Sequence, residues 1–145
     1  MNDQAFAAEI LTDAEKLWPL EDRFLEEIGE EKMSAEGREA VRRAAEEGRI
    51  VFFAVKREER IVGICSVSPC FSTFSCRTCG VFDDFFVEPD SRGKGAARVL
   101  TEYVKAWCGK QGDGSLLVGC SQCDAGMYAS LGFDAELGVM RACIL

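Results

Sequence analysis

Histidine is absent from this 145-residue sequence. Proton transfer near neutral pH, and metal ligation by nitrogen, must therefore be met by other side chains. Positive charge is scarce: 17 Lys and Arg stand against 25 Asp and Glu, for a net charge of −8. That balance argues against a non-specific nucleic-acid binder, which needs cations to meet phosphates. It suits cationic small molecules and plain solubility equally well. No apolar run reaches the ~18 residues of a membrane span. The opening stretch "MNDQAFAAEILTDAEKLWPL" has acids where a secretory signal has basic residues and a long apolar core. A cytoplasmic protein without a membrane partner is expected. Repeats, low-complexity tracts and linkers are also lacking, and 48% of the residues are hydrophobic. That length and composition suit one folded domain over residues 1–145, not a disordered chain.

Cysteine, by contrast, is plentiful, with eight residues. In a cytoplasmic chain most of them should be reduced, small, buried hydrophobes. Four fall in "CRTC" (Cys76, Cys79) and "CSQC" (Cys120, Cys123). Paired CxxC motifs are a zinc pattern, but the spacer from Gly80 to Gly119 is longer than a zinc ribbon's.

Hydrophobic spacing sets out the elements. Ala5 to Leu11 can form a first strand. In "TDAEKLWPLEDRFLEEIGEE", Leu17, Leu20, Phe24, Leu25 and Ile28 recur at three- and four-residue steps. This predicts a helix capped by Thr12 or Asp13 and broken or bent near its middle by Pro19. A second helix runs between Ser34, a candidate cap, and Gly48, a candidate stop. The charges of both helices read as a solvated face. "RIVFFAVKREERIVGICSVSP" reads as two strands, Ile50 to Val55 and Arg60 to Val67, joined at "KREE". A loop is predicted around Pro69 to Cys79. "GVFDDFFVEP" is a third strand of this run, and "AARVLTEYVKAWCGK" is a helix. "DGSLLVGC" is a short buried strand, "DAGMYASLGF" is a short helix, and two strands around Gly138 close the chain. The order is that of a mixed α/β domain, with a βαβ unit from Val81 to Leu116.

Within that unit, "DSRGKGAARVL" sits at the strand-to-helix corner. A helix start offers unpaired N–H groups and partial positive charge to a phosphate. Gly93 and Gly95 let the backbone come close, and Arg92 and Lys94 add charge. No Walker loop or dinucleotide fingerprint is present, so on these residues alone a solvated turn and a phosphate cradle stay equally open.

The wider context resembles the GNAT N-acetyltransferase superfamily. "FFVEPDSRGKGAARVL" is similar to its signature, Gln or Arg, two residues, Gly, one residue, then Gly or Ala, after a strand ending Val-x-Pro. Arg92, Gly95 and Ala97 fill the three defined positions. "MYASLGF" is similar to its Tyr-x-x-x-Gly-Phe, through Tyr128, Gly132 and Phe133. "FFAVKREERIVGICSV" resembles its central hairpin. The resemblance implies a mixed sheet of about six to seven strands, flanked by about four helices, with its central parallel strands splayed.

The resemblance also implies acetyl-CoA as acyl donor, no metal, and an amine acceptor. Backbone N–H groups of Arg92, Gly93, Lys94, Gly95, Ala96 and Ala97 would hold the pyrophosphate. Main-chain groups of Phe85, Phe86 and Val87 would meet the pantetheine arm. Tyr128 matches the general acid that protonates the departing thiolate, a role a phenol can fill. Ser121 stands where relatives often carry an asparagine that meets the cofactor arm. Asp83 stands where many relatives carry a glutamate. Since neighbours on a strand face opposite ways, one of Asp83 and Asp84, with Asp83 favoured on that ground, should face the acceptor as its base or amine-binding carboxylate, unless water serves as the base, as in many relatives. Homodimers are common in the family.

Two other readings compete. One is a cysteine-rich zinc or redox module. Its CxxC pairs would need all four sulfurs together, yet a strand's length of roughly 17–20 Å would separate them in the GNAT arrangement. The other is a catalytically silent protein that binds CoA or a protein partner.

Overall fold

Phe52, Phe53, Ala54 and Val55 are all buried, but in two different places. Phe53 and Val55 belong to one hydrophobic cluster and Phe52 and Ala54 to another. This is strand alternation with both faces covered. A computed structural model describes residues 5–145. Its sheet has five strands in chain order: β1 (Phe6–Leu11), β2 (Val51–Arg57), β3 (Arg60–Ser72), β4 (Arg77–Val87) and β5 (Leu116–Val118). The first four pair antiparallel, and β4 pairs parallel with β5.

One face carries α3 (Ala96–Gln111). Its Leu100, Val104 and Cys108 recur at four-residue steps and meet Phe53, Val62 and Phe82. Burying one such aliphatic side chain contributes roughly 1.5–3 kcal/mol. The other face carries α1 (Trp18–Glu27), which lies on β3 and β4 through Trp18, Leu20 and Phe24. α2 (Ala35–Glu46) follows, its start capped by Ser34 Oγ accepting from the Gly37 N–H at 3.0 Å. A short α4 (Ala125–Ser130) completes the helices. None of these helices is long and apolar enough to cross a membrane, among the described residues.

The elements differ from the sequence expectation at four places. The sheet has five strands, not six to seven, because residues 131–145 form no strand. Leu137, Val139, Met140 and Ile144 are apolar but lie exposed, and an apolar segment without a partner strand makes no ladder. The segment from Pro69 to Cys79 is largely hairpin rather than loop. Cys70 pairs with Cys79 and Ser72 with Arg77, while Cys76 takes a left-handed φ of 53° in the turn. Most side chains there are exposed, so the ladder continues where the buried alternation stops. At the first helix, Asp13 caps a separate 3-10 turn over Ala14–Lys16, and α1 begins only at Trp18. Pro19 therefore lies in the first turn, where its missing N–H costs nothing, and does not bend the helix. Finally, β5 is three residues long and half-buried, not fully buried.

Candidate active site

The pairing of β4 with β5 is brief. Gly80, Val81 and Phe82 face Leu116, Leu117 and Val118, and there it stops. β4 runs on to Val87, held on its other side by β3 as far as the Gly63–Val87 pair. The backbone of residues 83–87 thus has an edge turned to the β5 side that no β5 residue pairs. Phe85, Phe86 and Val87 are on that edge, as the splayed-strand expectation requires. An edge of this kind can take an extended ligand arm by main-chain hydrogen bonds.

The corner after β4 is built around backbone N–H groups. Pro89–Ser91 forms a 3-10 turn, and α3 starts after Gly95. Gly93 and Gly95 have φ of 70° and 98°, a region that favours glycine. A Cβ on either would meet nothing within 4 Å, so backbone conformation, not crowding, selects glycine here. No side chain caps this helix start, and the N–H groups around Ala96 and Ala97 remain for an anion.

The side chains of the corner point elsewhere. Arg92 Nε donates to the Val87 carbonyl at 2.7 Å, and its guanidinium grips both carboxylate oxygens of Glu27 at 2.7 and 2.9 Å. It also lies 5.5 Å from the Phe86 ring centre. Lys94 Nζ donates to the Asp90 carbonyl at 2.6 Å. Arg92 therefore clamps the corner to α1, and its charge is spent there instead of on the rim. Next to it the buried Glu88 binds Arg23 and Arg60, which joins α1 to the β2–β3 hairpin. Arg23, Glu27, Arg60 and Glu88 line a cavity of about 430 Å³ beside the corner.

Tyr128, on α4, is half-buried at the end of the β4–β5 pairing. Its ring makes an edge contact with Phe82 at 6.4 Å and with Phe133 at 5.8 Å, and lies 6.0 Å from Phe85. Burial first, then the charge of Asp124, pushes its phenol up to about 12. The hydroxyl therefore holds its proton at neutral pH and can donate it. Ser121 lies exposed after β5, its Oγ donating to Asp124 Oδ2 at 3.1 Å.

Asp83 and Asp84 are separated by a bulge. β3 pairing slips between Ile64 and Ser66, and Asp84 takes a left-handed φ of 52°. Asp83 is exposed, and its Oδ1 accepts from the Asp84 N–H at 2.8 Å. Asp84 is half-buried, and its Oδ2 accepts from Ser66 Oγ at 2.6 Å. Burial raises the Asp84 carboxyl, Ser66 opposes that, and Asp83 adds to it. Glu21 on α1 is a further acid of the site that no sequence motif singles out. It is 4% exposed, and burial, then Asp84, Asp83 and Asp22, push it up to about 7.

The two CxxC pairs lie apart. Cys76 and Cys79 precede Gly80, at the start of the parallel pairing, whereas Cys120 and Cys123 follow Val118 at its end. No group of three or more cysteine or acidic side chains is placed to hold a metal, among the described residues. All eight cysteines are free thiols. Burial pushes the Cys65 thiol far up and Cys108 up to about 12, which leaves both unreactive.

The profile of the Acetyltransferase (GNAT) family matches residues 13–133. The chain belongs to the GNAT acetyltransferase family. As a GNAT protein it is an acyltransferase, and the matched span takes in both the corner and Tyr128. It is similar to an uncharacterised N-acetyltransferase, YhfO, of Bacillus subtilis (strain 168), with 24% identity over 137 residues covering 92% of this chain and 91% of that one. Its fold is shared with an aminoglycoside acetyltransferase from an uncultured soil metagenomic sample, at a TM-score of 0.85 and 18% identity, covering 100% of this chain and 99% of that one. It is shared too with a predicted acetyltransferase from Clostridium acetobutylicum solved with acetyl-CoA, at a TM-score of 0.76 and 15% identity over 96% of each chain.

Proposed function

We propose that this GNAT protein transfers the acetyl group of acetyl-CoA directly to a primary amine. The observation that carries the reading is the free edge of β4 opening beside an uncapped α3 start. Together they offer main-chain donors to an extended arm and to the pyrophosphate at its end. The backbone of residues 92–97 would hold the pyrophosphate, and that of Phe85, Phe86 and Val87 the pantetheine. One N–H of that edge can also stabilise the oxyanion of the tetrahedral intermediate. The residues present fit the donor without a metal, since the donors are backbone groups. Tyr128 would protonate the departing thiolate: its phenol, raised to about 12, keeps its proton until that step, and the strongly basic phenolate left behind regains one at once from the nitrogen of the collapsing intermediate. Asp84, turned inward by the bulge, would face the amine, and Asp83 would stand at the mouth. Ser121 lies on the β5 side of the opening. The setting is one acetyltransferase domain working in the cytoplasm.

The test is release of CoA thiol with a panel of primary amines. Tyr128→Phe should lower kcat by about 100-fold while the Kd for acetyl-CoA holds. A variant with full turnover would remove Tyr128 from the proton path.

A further inference from the structure

The packing of α1 on β4 brings a third acid to the two acids of the bulge. Phe24 of α1 stacks toward Phe86 of β4, with ring centres 6.3 Å apart. Glu21 lies one helical turn before Phe24, and Asp84 two residues before Phe86, so the acids fall next to each other along the same interface. Their proximity is felt electrostatically: Asp84 and Asp83 both raise the Glu21 carboxyl. Exposure falls across the set, from the exposed Asp83 through the half-buried Asp84 to Glu21 at 4%.

Glu21 is the end of this path and is left unsatisfied. Its Oε2 is buried with no hydrogen-bond partner among the described residues. The charges acting on it are Asp22 from its own helix and Asp83 and Asp84 from β4, all negative. From β3, the Ser66 hydroxyl is committed to Asp84, and Cys65 belongs to the α3-side cluster on the opposite face. The nearby cations have other partners: Arg23 binds Glu88, and Arg38 binds Asp22 at 2.8 Å. A buried carboxylate without a cation is costly, and a cationic ligand would relieve that cost.

We infer that Glu21 receives the reacting ammonium group of a polycationic amine acceptor and takes its proton, while Asp83 and Asp84 hold the acceptor's remaining positive charge. The inference rests on the acetyl-transfer reading above. In the step, the acceptor R–NH3⁺ gives one proton to the Glu21 carboxylate. The nitrogen lone pair then attacks the thioester carbonyl carbon and forms the C–N bond. As the intermediate collapses, the C–S bond breaks and its electron pair leaves with sulfur. Tyr128 supplies the thiolate with a proton and recovers one from the nitrogen. Glu21 returns its proton to solvent past Asp83. The products are the amide, CoA thiol and one proton. A mono-amine would leave part of this negative charge unmet, which is why the acceptor should carry at least two ammonium groups.

The test compares spermidine with n-hexylamine at saturating acetyl-CoA, in the wild type, Glu21→Gln and Glu21→Asp, with acetyl-CoA binding measured separately by calorimetry. The wild type should favour spermidine by about tenfold or more in kcat/KM. Glu21→Gln should lower kcat on spermidine by about 100-fold and flatten its rise with pH around neutrality, with acetyl-CoA affinity unchanged. Glu21→Asp should restore part of the rate. Wild-type turnover and pH profile in Glu21→Gln would overturn the inference. So would a wild type that binds acetyl-CoA yet acetylates no spermidine, or that prefers n-hexylamine. A wild type that fails to bind acetyl-CoA would overturn the acetyl-transfer reading itself, and the inference with it.

Discussion

Tyr128 and Glu21 hold their protons unusually tightly, from opposite faces of the sheet. Tyr128 packs with the α3-side cluster, whereas Glu21 lies among the α1 residues of the other. In the proposed reaction the first proton would leave the amine toward one face of β4, and the thiolate would be protonated from the other. The Glu21 arrangement has a thermodynamic consequence. Its carboxyl stands at about 7 in the folded protein against an ordinary 4.5, so the folded state binds more protons between those values. Stability should therefore fall as pH rises through that window and level off above it. A gap of this size corresponds to roughly 3 kcal/mol. Glu21→Gln should match the wild type near about pH 4 and exceed its stability by roughly that amount near about pH 8 in urea denaturation. Equal stability at both would contradict the burial argument. The signal for Glu21 was present in the sequence. It falls four residues after Leu17 and three before Phe24, on the apolar stripe of the helix. Treating all the charges of the run as one solvated face concealed it. The Asp84 bulge had no such signal, because its left-handed φ depends on the slip against β3.

At the scale of elements, the corner between β4 and α3 is held by more than its glycines. Arg92 ties three pieces together: the Val87 carbonyl, the Phe86 ring and Glu27 of α1. Its pair with Glu27 is nearly half exposed on both sides, so the pair alone should contribute only about 0–1 kcal/mol. Two variants should therefore differ. Glu27→Gln should change acetyl-CoA affinity by less than about threefold, whereas Arg92→Ala should weaken it by about tenfold as the corner loses its anchor to Val87. Calorimetric titration of both checks this, and equal effects would reduce the anchor to its ion pair. The motif puts Arg92 at the corner but says nothing of the direction of its side chain, which depends on where α1 comes to rest. The strand-then-helix order was legible because hydrophobic periods of two and near four are local. The hairpin beyond Pro69 and the unpaired tail were not, since pairing there depends on a partner strand rather than on buried alternation.

For the molecule as a whole, a sheet with both faces covered is opened at one point only by design of its pairing. β4 leaves β5 after Phe82, and the edge it exposes ends at a helix start without a cap. Glu21, beside the acids of β4, and Tyr128, packed on Phe82 and Phe85, flank that strand and acquire a purpose only if acetyl-CoA enters the opening. Binding of acetyl-CoA to the folded chain is therefore the most direct measurement. The account predicts saturable, one-to-one calorimetric binding. It also predicts stabilisation of about 2.7 kcal/mol at a hundredfold excess over Kd. Gly95→Ala, which forces alanine into a φ of 98°, should bind at least about tenfold more weakly while it stays folded. No heat and no stabilisation at millimolar acetyl-CoA, or a Gly95→Ala variant that binds as well as the wild type, would contradict it.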